Sequence, residues 1–264
     1  MKKVDMKDVT FLIQMRLDSI DRLANLKITV EFLLEHFETN IHILEADQID
    51  VGLIRSVVPS CVSVKFIEDR DPIYYRTLYI NKMVNECETP YLSIWEPDII
   101  VPPQQIISSV EWLRSNEADF SSPYEKYALN TTTIIRNMFI RSKDWRIFDT
   151  YQKKMKVMYP PNPVGGAFFA NTEKYKEIGI DNTNIYGWGI EDGERVRRWL
   201  KLGYNYKRVE GNLYHLTHAR GLNSNFYAEV DGFIKSKEIN RITRMTKQEL
   251  EKEVATWQDK TPNS

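Results

Sequence analysis

The sequence predicts an α/β fold, a mainly parallel sheet flanked by helices, and three observations lead there. Short apolar runs alternate with helix-spaced segments through the N-terminal part of the chain, the order of consecutive strand–helix–strand units. A hydrophobic content of 42% and an aromatic content of 12% over 264 residues mark an ordered chain able to bury a substantial core. No internal repeat or low-complexity segment points to a solenoid or a linker.

Taken in order, residues 9–15 read as a buried strand, and Leu23, Leu26, Val30, Leu33, Leu34 and Phe37 keep helical spacing behind it. Residues 41–44, 62–67 and 91–95 are expected as further strands. Tyr79, Ile80, Met83 and Val84 form a helical pattern between the last two. Residues 137–158 read as largely helical, and 159–163 as a loop, because its prolines cannot continue a helix. A double glycine, Gly165-Gly166, leads into a short strand ending near Ala170. Asn171 or Thr172 then caps a helix closed by Gly179. Val196, Trp199 and Leu200 mark another helix, closed by Gly203. Thr246 and Glu249 fit a capping box ahead of Leu250, Val254 and Trp257. The expected division is one domain over residues 1–225 and a helical appendage over 226–264 that packs on it.

Whole-chain features prune the function classes. A net charge of −1 provides no general attraction to nucleic acid or to acidic membranes. No apolar stretch is long enough to span a bilayer, and the N-terminal apolar run is too short for a signal peptide, so a cytoplasmic location is expected. Cys61 and Cys87 are expected as buried free thiols. The first glycine is Gly52, so no glycine-rich turn follows the first strand. That argues against dinucleotide folds of the GxGxxG type, P-loops and sugar-1-phosphate nucleotidyltransferases. There is no HExxH, no Cys/His cluster and no GxSxG turn.

Ligands of such sheets sit at the carboxyl ends of the strands. After the first strand come Arg16 and Asp18, polar groups able to hold a nucleotide through side chains. After the fourth come Glu96-Pro97-Asp98, two acids one residue apart, as a hard divalent cation would use, although acids also commonly solvate a strand end. Tyr74 and Arg76 open the preceding helix, where a ring could stack on a base and a guanidinium meet a phosphate. His215 and His218 lie in a β-prone segment. A spacing of three on a strand puts them on opposite faces, so only one is expected to be a ligand. The richest stretch is Tyr186-Gly187-Trp188-Gly189-Ile190-Glu191-Asp192: glycines bracket an indole, and two carboxylates open a helix. Acids in a first helical turn gain from the helix dipole. A flat aromatic beside a carboxylate is equally a way to grip a sugar and deprotonate its hydroxyl.

With these pieces in this order, the chain resembles glycosyltransferases of the GT-A fold, closest to the β-1,4-galactosyltransferase group. It is similar also to the catalytic domains of bacterial chondroitin polymerases and polypeptide N-acetylgalactosaminyltransferases. The resemblance runs from Val9 to Leu222. It implies a Rossmann-like GT-A sheet, with Arg16, Asp18, Tyr74, Arg76 and Asn81 toward the nucleotide and Gly165-Gly166 near the donor sugar. Asp98 stands at the last aspartate of the family's Asp-x-Asp, with Glu96 at the first. His218, or His215 as second choice, takes the place of the metal-binding histidine. Residues 187–192 match the family's Trp-Gly-Gly-Glu-Asp loop, making Asp192 the base, Glu191 a sugar-binding acid and Trp188 a wall. Ile190 replaces the loop's second glycine.

The resemblance thus implies an inverting transferase that uses Mn²⁺ or Mg²⁺. It would move a hexose, galactose or N-acetylhexosamine in type, from a UDP-sugar to a glycan or glycolipid acceptor. No nucleic acid partner is implied, and peripheral contact with a membrane stays open. One rival is a non-catalytic sugar-nucleotide or glycan-binding module, favoured by Glu96 in the metal motif. Another is a glycoside hydrolase, disfavoured because adjacent carboxylates are poorly placed to flank one bond.

Overall fold

The structure, a computed structural model, describes residues 2–159, 162–219, 221 and 229–258. The first half of the chain runs β1 (Val4–Met15), α1 (Ile20–His36), β2 (Phe37–Asp47), α2 (Leu53–Val57), β3 (Ser63–Glu68), α3 (Arg76–Asn85), β4 (Tyr91–Trp95), β5 (Ile99–Ile100), α4 (Pro103–Arg114), β6 (Phe120–Ser122) and β7 (Ala128–Asn130). The second half runs α5 (Thr133–Ser142), α6 (Arg146–Tyr151), β8 (Lys156–Val157), β9 (Ala167–Asn171), α7 (Thr172–Glu177), α8 (Glu191–Leu202), β10 (Tyr206–Arg208), β11 (Leu213–His215), α9 (Glu229–Arg244) and α10 (Lys247–Gln258).

A seven-stranded sheet in the order β10-β6-β9-β4-β1-β2-β3 forms the centre. Strands β1 to β4 pair in parallel, while β9 runs antiparallel between β4 and β6. Residues 9–15 are buried on both faces, which is why the run is mostly apolar, broken only by Thr10 and Gln14. Phe11, Ile13 and Met15 pack into one core, and Leu12 with Leu44 and Ile94 into the other. Helix α1 starts where the Ser19 hydroxyl accepts the Arg22 amide at 3.3 Å, a side-chain cap.

A second sheet, β5-β11-β7-β8, matters more for function. In it His215 pairs with Ile99 on one side and with Asn130 on the other. This ties the segment after β4 to residues more than a hundred positions downstream.

The expected long helix over residues 137–158 is corrected. Lys143 takes a left-handed φ of 58° that ends α5, and Asp144 accepts the Arg146 amide ahead of α6. The chain then becomes β8, because residues 156–157 find partners in β7. Pro160 and Pro161 of the expected loop lie outside the described residues. Cys87 is buried as expected, but Cys61 is exposed, placed in the turn ahead of β3 where no core covers it.

At the C-terminal end, Thr246 and Glu249 close the expected capping box, and α10 buries Leu250, Val254 and Trp257 against Tyr175 and Trp199. Burying such side chains contributes roughly 1.5–3 kcal/mol each, so α10 is part of the core rather than a loose extension. The expected boundary between residues 225 and 226 lies outside the described residues.

Candidate active site

A cavity of about 400 Å³ opens at the carboxyl ends of β1 and β4, beside the small sheet. All the candidate residues line it except Asp18 and Asn81. Asn81 is spent on structure: its amide donates to the Asp181 carbonyl and accepts the Asp181 N–H, both at 2.9 Å. Asp18 pairs with a lining residue instead, its Oδ2 3.6 Å from Nη1 of Arg22.

One side of the cavity is a cluster that could hold a metal ion. The pairing of β5 with β11 brings Asp98 and the two histidines together, and one ligand atom of each lies within 4.8 Å of the others. Nε2 of His218 is 3.0 Å from Asp98 Oδ2, and Nε2 of His215 is 3.7 Å from Oδ1. The expectation that only one histidine faces the site is therefore corrected. Strand β11 stops at His215, so alternation no longer governs His218, and both rings converge.

Each ring is oriented through its other nitrogen. Nδ1 of His215 is 2.8 Å from Asn130 Oδ1, and Nδ1 of His218 is 2.7 Å from the Ala219 carbonyl. With both Nδ1 atoms so engaged, both Nε2 atoms face the cluster, the arrangement of ligating histidines. Burial alone would raise the Asp98 carboxyl, but His215, His218 and Arg22 together hold it well below the usual carboxylate range. A carboxylate with two imidazoles in this pose suits a divalent cation. His215→Ala and His218→Ala are expected to weaken Mn²⁺ binding to a similar degree in calorimetric titration. A loss confined to one variant would return the site to a single histidine ligand.

The opposite side holds the acids of α8. Glycines 187 and 189 take φ values of 77° and 101°, swinging Trp188 to the cavity wall. Lys235 of α9 donates to the Trp188 carbonyl at 2.6 Å, so the C-terminal helices also steady this loop. Ile190 keeps a left-handed φ of 67°, the backbone that a glycine would adopt freely there.

Asp192 is held in two ways. Arg195 donates to its Oδ1 at 2.7 Å, and Arg195 is itself gripped by Asp181 through bonds of 2.6 and 2.7 Å. Its Oδ2 packs on Gly165, where an added Cβ would lie only 2.4 Å away. Sequence reading missed both: the i, i+3 spacing of Arg195 from Asp192 on α8 was a signal that could have found it, whereas Asp181 lies in an irregular loop that no sequence pattern assigns.

Arg76 bridges Glu96 and Glu191, with its Nε 2.9 Å from Glu191 Oε1. It therefore organises acids rather than presenting a bare guanidinium. Glu191 is 4% exposed, and its Oε2 makes no hydrogen bond. Burial, with Asp192 beside it, pushes the Glu191 carboxyl up from 4.5 to about 7, against the pull of Arg76. The folded chain thus holds a proton there that the unfolded chain releases. That stabilisation is complete below about pH 4.5 and is lost as pH rises through about 7. Glu191→Gln should flatten this limb when melting temperature is followed against pH; an unchanged limb would contradict the shift.

Residues 146–220 match the family model described as the N-terminal domain of galactosyltransferase. A search of curated protein sequences returns no significant match. Among solved structures, the catalytic domain of Drosophila β1,4-galactosyltransferase 7 in complex with xylobiose is 16% identical with a TM-score of 0.45, covering 76% of this chain and 63% of that one. This chain thus spans less than two thirds of that structure's length. A mycobacterial protein is 12% identical with a TM-score of 0.51, covering 82% of this chain and 69% of its own. Glucosyl-3-phosphoglycerate synthase from Mycobacterium tuberculosis, in complex with Mn²⁺, UDP and glucosyl-3-phosphoglycerate, is 11% identical with a TM-score of 0.52. It covers 90% of this chain and 77% of its own. Among the described residues no helix is long and apolar enough to cross a membrane. Residues 146–220 are thus similar to galactosyltransferases, and the fold as a whole, a mixed sheet flanked by helices with a cavity at its carboxyl edge, is shared with glucosyl-3-phosphoglycerate synthase.

Proposed function

We propose that this chain transfers a hexose, galactose or N-acetylhexosamine in type, from a UDP-sugar to a hydroxyl of a glycan or glycolipid acceptor, inverting the anomeric centre. The observation that carries the reading is the sharing of one cavity by two sets of groups. The cluster of Asp98, His215 and His218 lies in the same space as an Asp192 carboxylate clamped by Arg195.

Asp98, His215 and His218 would hold Mn²⁺ or Mg²⁺, which when bound supplies positive charge to the leaving diphosphate. Asp192 accepts the proton of the acceptor hydroxyl as its oxygen bonds to the anomeric carbon and the bond to the diphosphate breaks. Glu191, with one carboxylate oxygen buried and unbonded, takes a sugar hydroxyl. Trp188 walls the acceptor, the ring of Tyr74 faces the nucleotide, and Gly165-Gly166 lets the donor sugar lie close to the backbone. Arg16, stacked over Tyr74 with its guanidinium carbon 5.4 Å from the ring centroid, and Arg76 shape these groups.

The binding-module reading rested on Glu96 in the metal motif. The cluster of Asp98, His215 and His218 forms without Glu96, which is paired with Arg76, and this weakens that reason. Incubation with a panel of nucleotide sugars and Mn²⁺ tests the proposal, by nucleotide release that EDTA abolishes. No release and no metal-dependent change in melting temperature with any UDP-sugar would refute it.

Gly165→Ala is a sharper probe of the base. The new Cβ would displace the Asp192 carboxylate, since a 2.4 Å approach cannot persist and the acid is the movable partner. Misplacing a reacting group by about 1 Å can cost about 10²-fold, so turnover should fall by that order with UDP affinity retained. Unchanged turnover would remove Asp192 from the reaction.

A further inference from the structure

Among the described residues, Arg16, Arg22 and Arg76 are the arginines that line the cavity, and they differ in how they are occupied. Arg16 donates from Nε to the Ala46 carbonyl at 3.0 Å and from Nη1 to the Asp71 carbonyl at 2.7 Å, and it pairs with Asp69. Its cation is committed to holding the loop after β3. Arg76 is committed to Glu96 and Glu191. Deeper in the protein, Arg195 and Arg198 are likewise saturated, by Asp181 and Asp192 in one case and Glu194 with two carbonyls in the other.

Arg22 is the exception. It stands in the first turn of α1, 8% exposed, on the cavity wall shared with Tyr74, Asp98 and His218. Its Nε has no hydrogen-bond partner, and its ion pair with Asp18 spans 3.6 Å, too long for a hydrogen bond. A guanidinium taken out of water without matched acceptors is costly, and folding alone gives no reason to keep one. Its planar fork of donors suits a phosphate.

We propose that Arg22 binds the diphosphate of the donor beside the metal cluster, in the role that sequence resemblance gives to Arg16 and Arg76. The proposal rests on the reading of the cavity as a nucleotide-sugar site. As the bond from the anomeric carbon to the diphosphate oxygen breaks, its electron pair stays on the diphosphate, and Arg22 donates to the oxygens where that charge collects. Asp18, four residues earlier and not among the cavity's lining residues, acts through Arg22 as a positioning residue: it holds the guanidinium in place without touching the donor. The site then discriminates by phosphate as well as by base.

The experiment titrates UDP and uridine, with Mn²⁺ present, into the full chain and into Arg22→Gln and Arg22→Lys. Charge-assisted contacts of this kind predict a loss of about 10- to 100-fold in UDP affinity for Arg22→Gln. Arg22→Lys should fall between, since it keeps the charge and loses the fork. Uridine affinity should stay constant, and the melting temperature of Arg22→Gln without ligand should hold or rise, because an unmatched buried charge is gone. A merely structural arginine predicts the reverse, a lower melting temperature with UDP and uridine weakened alike, and that result overturns the assignment. So does unchanged UDP affinity in both variants. If the wild-type chain itself ignores UDP with Mn²⁺, the nucleotide-sugar reading fails first, an outcome visible before any variant is made.

Discussion

Asp192→Asn is expected to lower sugar transfer by about 10²–10⁴-fold, the usual worth of a general base, while Mn²⁺-dependent UDP binding stays near the wild-type value. The amide keeps the shape of the carboxylate and can still accept from Arg195 through its oxygen, so the geometry at Gly165 survives. What it loses is the capacity to take a proton. An acid that merely caps α8 predicts a different result. Asparagine is a good residue near a helix start, so stability would change by about a kcal/mol or less and turnover would persist. Measuring nucleotide release and melting temperature on one preparation separates the two accounts. Normal turnover in the variant would refute the base assignment and revive the binding-module reading.

The second large effect is expected at Asp98. Asp98→Ala should abolish the metal dependence of UDP binding, because the remaining donors are two neutral imidazoles with no carboxylate to anchor a hard cation. The fold should persist. Asp98 is 4% exposed, but its backbone carbonyl still accepts the Leu216 amide at 2.8 Å, keeping β5 against the segment that follows β11. Calorimetric titration of UDP with and without Mn²⁺ reads the effect. Retained metal dependence would move the cation away from this cluster.

These two variants also mark what could be read in advance. Asp192 and Asp98 were visible because each belongs to a short run whose chemistry is local: an indole between glycines followed by paired acids, and an acid doublet directly after a buried strand. The strands themselves were visible for a related reason. Residues 9–15 and 92–95 are buried on both faces, and such runs are mostly apolar wherever they occur. The helix caps at Asn171 and Thr246 depend on residues three positions apart.

What went unread depends on partners far along the chain. Whether Arg16 and Arg76 face a ligand or a protein acid turns on Asp69, Glu96 and Glu191, whose approach no spacing rule encodes. Asn130 became an orienter of His215 only through the pairing of β7 with β11. Asp181 reaches Arg195 from an irregular loop, and the buried Arg22 is exceptional only once every other arginine of the site has been matched to its partners.

The sequence by itself determined the α/β class, the first four strands of the large sheet, and the acids and histidines that the structure brings into one cavity. Periodicity and short motifs are properties of neighbours on the chain. Tertiary structure alone decided that both histidines meet Asp98, that two of three arginines are spent internally, and that Asp192 is pinned between Arg195 and a glycine. Those outcomes follow from distances between segments up to more than a hundred residues apart. Burial and pairing of charge are set by such distances, and a linear pattern does not contain them.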